Sequence, residues 1–173
     1  MIKQTIQKKY LPEFVYGGMD GAVTTMAIIS GAVGASLSSA IILIMGFANL
    51  IADGFSMAVA NYFSTKSESE LTKTNNYSKK PIKTGIATFI SFILIGLIPL
   101  LSFILAFFIP WIEERKFLIS IILTGTALMT VGFVKGSILE KNKFKSSIES
   151  LAIGGIAAFL AYLVGYSLRG LAS

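Results

Sequence analysis

Apolar residues fall in five long runs separated by short polar breaks. A helix rises ~1.5 Å per residue, so ~20 apolar residues cross the ~30 Å hydrocarbon layer of a bilayer. The pattern predicts spans near 14–35, 39–65, 82–108, 117–138 and 147–169. A serine-rich turn, ASLSS (35–39), joins the first two, and the second continues into a polar end, FSTKSESE, that should project into water. Ahead of the first span, Ile2, Ile6 and Tyr10 are spaced for a short interfacial helix over 1–13, which Pro12 should end or redirect. Pro81 opens the third helix where its missing N–H is harmless, and Pro110 closes it. Pro99 lies inside and predicts a kink that frees the carbonyl of Ile95. The expected class is all-α: one polytopic transmembrane domain over 1–173, with no internal repeat and no cleavable signal pattern at its start.

Charge orients these spans. With the N-terminus in the cytoplasm, the inner segments hold Lys3, Lys8, Lys9, Lys66, Lys73, Lys79, Lys80, Lys83, Lys135, Lys141, Lys143 and Lys145, which is 12 of the 15 basic residues. Only Arg115, Lys116 and Arg169 fall outside, so the positive-inside rule gives N-in and C-out. The net charge of +6 is thereby topological. Nucleic acid is excluded as a partner, because no basic stripe interleaves with stacking aromatics. Trp111 and Tyr10 read as interface anchors, Arg169 and Lys135 as snorkelling span-end cations, and Glu113, Glu114, Arg115 and Lys116 as a solvated outer loop. A less bland role for Lys135 is to face a cation path and repel metal.

The chain has no cysteine and no histidine. That removes disulfides, thiolate sites, the commonest general base and the usual haem ligand. No bound cofactor is expected. Against this background two acids stand out. Asp20 lies in FVYGGMDGAVTTMAIISGAVGA and Asp53 in IILIMGFANLIADGFSMAVANYF, with no basic residue at their depth. A carboxylate at the bilayer centre costs ~3 kcal/mol on insertion scales, so such a group faces a partner or a watered path. A cation that comes and goes is the natural partner. Asn49, Asp53, Met57 and Asn61 follow at steps of four, which drift only ~40° each around a helix. A carboxylate one turn from a thioether suits a borderline divalent ion: Fe²⁺ first, with Mn²⁺, Co²⁺ and Zn²⁺ also compatible. Met57 is equally at home as core packing. Gly17, Gly18, Gly21 and Ala22 surround Asp20, and Ala27, Gly31 and Ala35 continue a small-residue series that suits close helix packing against another first helix.

The stretches MDGAVTTMAIISGAVGA and NLIADGFSMAVANYFSTKSE resemble the vacuolar iron transporter family. KTGIATFISFILIGLIPLL and ESLAIGGIAAFLAYLVGYSLRG extend the similarity to nearly the whole chain. The resemblance implies a homodimer of five-helix protomers, paired through the first helices, that carries Fe²⁺ out of the cytoplasm in exchange for protons. It assigns the pathway aspartate to Asp20 and the second-helix methionine to Met57, with Asp53 in the same motif. Eukaryotic members carry a long glutamate-rich cytoplasmic insertion between the second and third helices. Here the connection from Thr65 to Lys80 is too short for it, and only Glu68 and Glu70 remain. Many relatives also have an acid where this chain has Asn61. The expected metal-handling set is thus Asp20, Asp53, Met57, Asn61, Glu68 and Glu70.

Two such acids from each protomer put four like charges near one axis, where not all can stay ionised together. Metal and protons then compete for the same groups, which is antiport. The host membrane is a cell (inner) membrane for a prokaryotic source and a vacuolar-type membrane for a eukaryotic one. The rival reading is a non-transporting membrane scaffold whose aspartates are structural. An intramembrane enzyme would rest on an aspartyl pair with no marked substrate groove.

Overall fold

The computed structural model describes the backbone of residues 2–72 and 79–171, and side chains within 9–71 and 79–171. Among the described residues seven helices follow one another: α1 (Ile2–Gly34), α2 (Ser39–Thr72), α3 (Pro81–Gly96), α4 (Leu101–Ala106), α5 (Pro110–Glu113), α6 (Lys116–Ile138) and α7 (Lys143–Leu168). Single 3₁₀ turns sit at Ile98–Leu100 and Arg169–Leu171. Among the described residues four stretches are long and apolar enough to cross a membrane: Ser39–Leu71, Pro81–Ala106, Lys116–Ile138 and Lys143–Leu171. These coincide with the second to fifth predicted spans.

The first predicted span lies in α1, which is helical throughout but falls outside that hydropathy class. Its position explains the difference. α1 runs through the middle of the bundle and packs against α2, α3, α6 and α7. Ala22, Thr25, Met26, Ile29 and Ser30 on it are buried. A helix wrapped by protein need not be as apolar as one wrapped by lipid. α7 is its opposite: Ile153, Ile156, Phe159, Leu160 and Val164 all face outward.

The small residues of α1 set how closely its neighbours approach. A Cβ at Gly17 would fall on Ser91 and the Thr88 carbonyl, and one at Gly21 on the Phe92 carbonyl, so α3 lies directly against α1 there. Further along, Gly31 meets Gly165 of α7 backbone to backbone. Gly17, Gly21 and Gly31, expected to serve a neighbouring first helix, are thus used inside the protomer. The core beside them gathers Ile29, Ile42, Leu50, Phe92, Leu100 and Phe103.

Two prolines behave differently. Pro12 neither ends nor redirects α1, which is continuous from Ile2 to Gly34 with no separate interfacial helix over 1–13. A proline removes the bond to the carbonyl four residues back. Here that carbonyl belongs to the polar lead-in, where water can replace the lost donor. Pro99 does break its span: α3 stops at Gly96, a 3₁₀ turn follows, and α4 resumes at Leu101. The Pro99 carbonyl is met by the Ser120 hydroxyl of α6 at 2.8 Å. Pro110 opens α5 rather than closing α4, which ends at Ala106. The α1–α2 turn reverses through Ser36 at φ 61°, with Leu37 N–H bonded back to the Ala32 carbonyl at 2.9 Å.

Antiparallel connection gathers the start of α1, the end of α2, the start of α3, the end of α6 and the start of α7 at one end of the bundle. That end carries the lysine clusters. Lys135 pairs there with Glu149 at 3.7 Å, so its contact is an ion pair at a helix end.

Candidate functional site

One flank of α1, beside α7, is open. Tyr16, Met19, Asp20 and Val23 line it, and with Pro12, Val15 and Ile153 of α7 they bound an open hollow of about 410 Å³. Asp20 is half-buried in this hollow. Asp53 on α2 is exposed, and the Asn49–Thr24 contact, one turn from each acid, sets it beside Asp20. The fold therefore brings together the two acids singled out in the sequence, which are 33 positions apart in the chain. Among the described residues neither carboxylate has a hydrogen-bond donor or a basic partner, and no cluster of three acids forms within one protomer.

The backbone beside Asp20 is held in place. The Thr24 hydroxyl donates to the Asp20 carbonyl at 2.7 Å, and the Asn49 amide of α2 donates to that hydroxyl at 3.4 Å. This chain of bonds fixes α2 against α1 one turn from the acid and leaves the Asp20 carboxyl unengaged.

The rest of the predicted set is dispersed. Met57 is partly buried and packs on the core cluster around Phe92. Asn61 is half-buried, and its amide donates to the Thr88 hydroxyl of α3 at 2.6 Å. The drift of four-residue steps explains the split: Asn49 meets α1, Asp53 points outward and Asn61 meets α3. Glu68 and Glu70 are exposed near the end of α2, ~22 Å or more along the axis from Asp53. Glu70 approaches Lys66 at 4.0 Å.

One acid escaped the sequence reading. Glu13, assigned to a polar interfacial lead-in, is only 4% exposed. One oxygen of its carboxylate accepts from Lys79 Nζ at 2.9 Å, and the other is buried without a partner. It sits seven residues before Asp20, two turns nearer the lysine-rich end on the same side of α1. Its signal was an acid directly after Pro12 at the threshold of an apolar run. That signal is weak, because acids at span ends usually stay in water.

These features define a polytopic helical membrane protein with a charged crevice beside its central helix. The VIT family model matches residues 11–80 and 72–166, and the chain belongs to that family. The two matches meet within the α2–α3 connection. Curated relatives agree. A "Vacuolar iron transporter" of Toxoplasma gondii is 27% identical, covering 92% of this chain and 74% of its own length. "Vacuolar iron transporter 1" of Eucalyptus grandis is 25% identical over 87% of this chain and 83% of its own. "Vacuolar iron transporter homolog 4" of Arabidopsis thaliana is 28% identical over 92% and 83%. The Toxoplasma alignment extends over 225 positions against the 173 residues here, so that relative holds segments this chain lacks. The alignment with homolog 4 takes only 171.

Proposed function

We propose that this protein carries a divalent transition metal, Fe²⁺ first and Mn²⁺ second, out of the cytoplasm in exchange for protons. One observation carries the reading: two carboxylates on neighbouring turns of α1 and α2, with no donor or basic group to settle them among the described residues. A permanent structural role would call for such a partner. A dication and protons supply it by turns. Metal arriving from the lysine-rich, cytoplasmic end displaces protons from Asp20 and Asp53, and protons entering from the other side displace the metal.

The active unit in this reading is a homodimer. Asp53 points away from its own bundle, and Ala48, Ala52, Ser56, Ala60 and Ser64 run beside it, four residues apart and exposed. A second copy laid along α1 and α2 covers this small-residue face and removes Asp53 from lipid. It also brings four carboxylates to one axis. Met57, one turn from Asp53, adds a thioether at the edge of that crevice, and Glu68 and Glu70 form a loose acidic mouth. Asn61 is spoken for by Thr88 and serves helix packing. The compartment follows the host: a vacuolar-type membrane in a eukaryote, the cell membrane in a prokaryote.

The test is flux into proteoliposomes with Fe²⁺ and Mn²⁺, with and without a pH gradient. Metal uptake that moves protons the opposite way supports the reading. A protein that binds metal but moves neither ion fits the scaffold alternative.

A further inference from the structure

We propose that a groove between α2 and α3, at the lysine-rich end of the bundle, holds an anionic phospholipid, with one tail in the groove and the phosphate among Lys66, Lys80 and Lys83. Phe55, Val59 and Tyr62 of α2 face Ile82, Ile86 and Phe89 of α3 across a hollow of about 310 Å³. Its floor is the point where the two helices nearly touch: a Cβ on Gly85 would lie 2.8 Å from the Ala58 carbonyl. Phe55, Ile82 and Ile86 are exposed at membrane depth, so the hollow opens toward lipid. It runs ~10 Å along the helices, enough for part of one acyl tail.

Charge at the open end selects the headgroup. The α2 stripe of Phe55, Val59 and Tyr62 continues at the same helical spacing to Lys66. Opposite it, α3 begins with Lys80, Pro81, Ile82 and Lys83, and both lysines are exposed. No side chain caps this helix and no acid stands in its first turn, so its positive dipole end faces the same place. The opposing charge is Glu70, exposed and 4.0 Å from Lys66; Glu68 lies on the other side of α2. Basic pockets between spans draw anionic lipids, with each lysine adding about fivefold. The stripe lies about 100° around α2 from the small-residue face given to the second copy, so the groove stays open in that dimer. A further copy placed here about a twofold axis would set its own lysines against these, like against like. The lysines and the hollow take no part in the transport reading, so the two stand or fall separately.

The probes are dioleoyl phosphatidylglycerol and dioleoyl phosphatidylcholine, added to the full-length protein in detergent and counted by native mass spectrometry. The wild type should retain phosphatidylglycerol on the order of tenfold better, and Lys66→Gln with Lys80→Gln and Lys83→Gln should bring the two lipids level. Ile86→Trp fills the hollow from an exposed position and should displace the bound lipid. Leu94→Trp, exposed on α3 outside the hollow, should keep it, which separates loss of the groove from a general effect of a bulky side chain. Equal retention of both lipids by the wild type, or a preference that survives the lysine changes, overturns the proposal. The chain has no cysteine, so Ile86→Cys reports any copy seated on the groove. It should stay unlinked under oxidation; a disulfide-linked dimer would give the groove to a second copy and overturn the lipid assignment.

Discussion

Two polar regions inside this bundle are built on opposite terms. Between α2 and α3, Asn61, Thr65, Thr84 and Thr88 form a closed seam. Thr84 donates to the Pro81 carbonyl at 2.7 Å, which leaves Thr65 as the donor to Thr84 at 3.0 Å, while Thr88 donates to the Thr84 carbonyl at 2.9 Å. Thr65, Thr84 and Thr88 are all buried. Between α1 and α2, two carboxylates stand near one another with no donor among the described residues. In the first region each polar group is satisfied by its neighbour; in the second, on the transport reading proposed above, the missing partner is a dication or a proton.

Breaking the open side should cost function and spare the fold. Asp20→Asn should abolish metal uptake in proteoliposomes while the protein remains monodisperse and melts no lower than the wild type, since no internal bond is lost. Asp53→Asn should cut uptake by at least tenfold with the same stability. A drop in melting temperature for either variant would mean that the acid does structural work.

The Glu13–Lys79 pair sits between these extremes, half settled and half open. Lys79→Met strands a carboxylate that is 4% exposed, at a cost on the order of 3 kcal/mol, and should lower the thermal midpoint clearly. Lys79→Met with Glu13→Gln should recover most of it, because the buried charge goes with its partner. Failure of the double variant to recover would show that the pair is more than an electrostatic tie.

Breaking the closed seam should do the reverse. Thr84→Val removes an interhelical hydrogen bond worth ~0.6 kcal/mol on average in membranes, so stability should fall slightly and transport rates should hold. Met57→Leu is the smallest change in stability: similar volume and the same packing on the core, with uptake of Fe²⁺ lowered more than uptake of Mn²⁺. Equal loss for both metals would mean that Met57 only packs.

The four stretches long and apolar enough to cross a membrane were legible because lipid-facing helices must be apolar all round, and hydropathy reads that directly. α1 was legible by its glycines and its acid. Its central position was not, because periodicity does not say whether protein or lipid surrounds a helix. The same gap hid the destination of Gly17, Gly21 and Gly31. Pro12 misled because a proline in the aqueous turn of a long helix loses a bond that water replaces. Asp20 and Asp53 were singled out by cost alone, and the fold sets them on neighbouring turns of α1 and α2. Asn61 was grouped with them by spacing, but a drift of ~40° per step carries it to α3.

The most direct measurement is simultaneous recording of metal and proton flux in proteoliposomes holding an acidic lumen and external Fe²⁺. The account predicts Fe²⁺ entry coupled to alkalinisation of the lumen in the wild type, and neither in Asp20→Asn. Undiminished metal-driven proton movement in Asp20→Asn would contradict it.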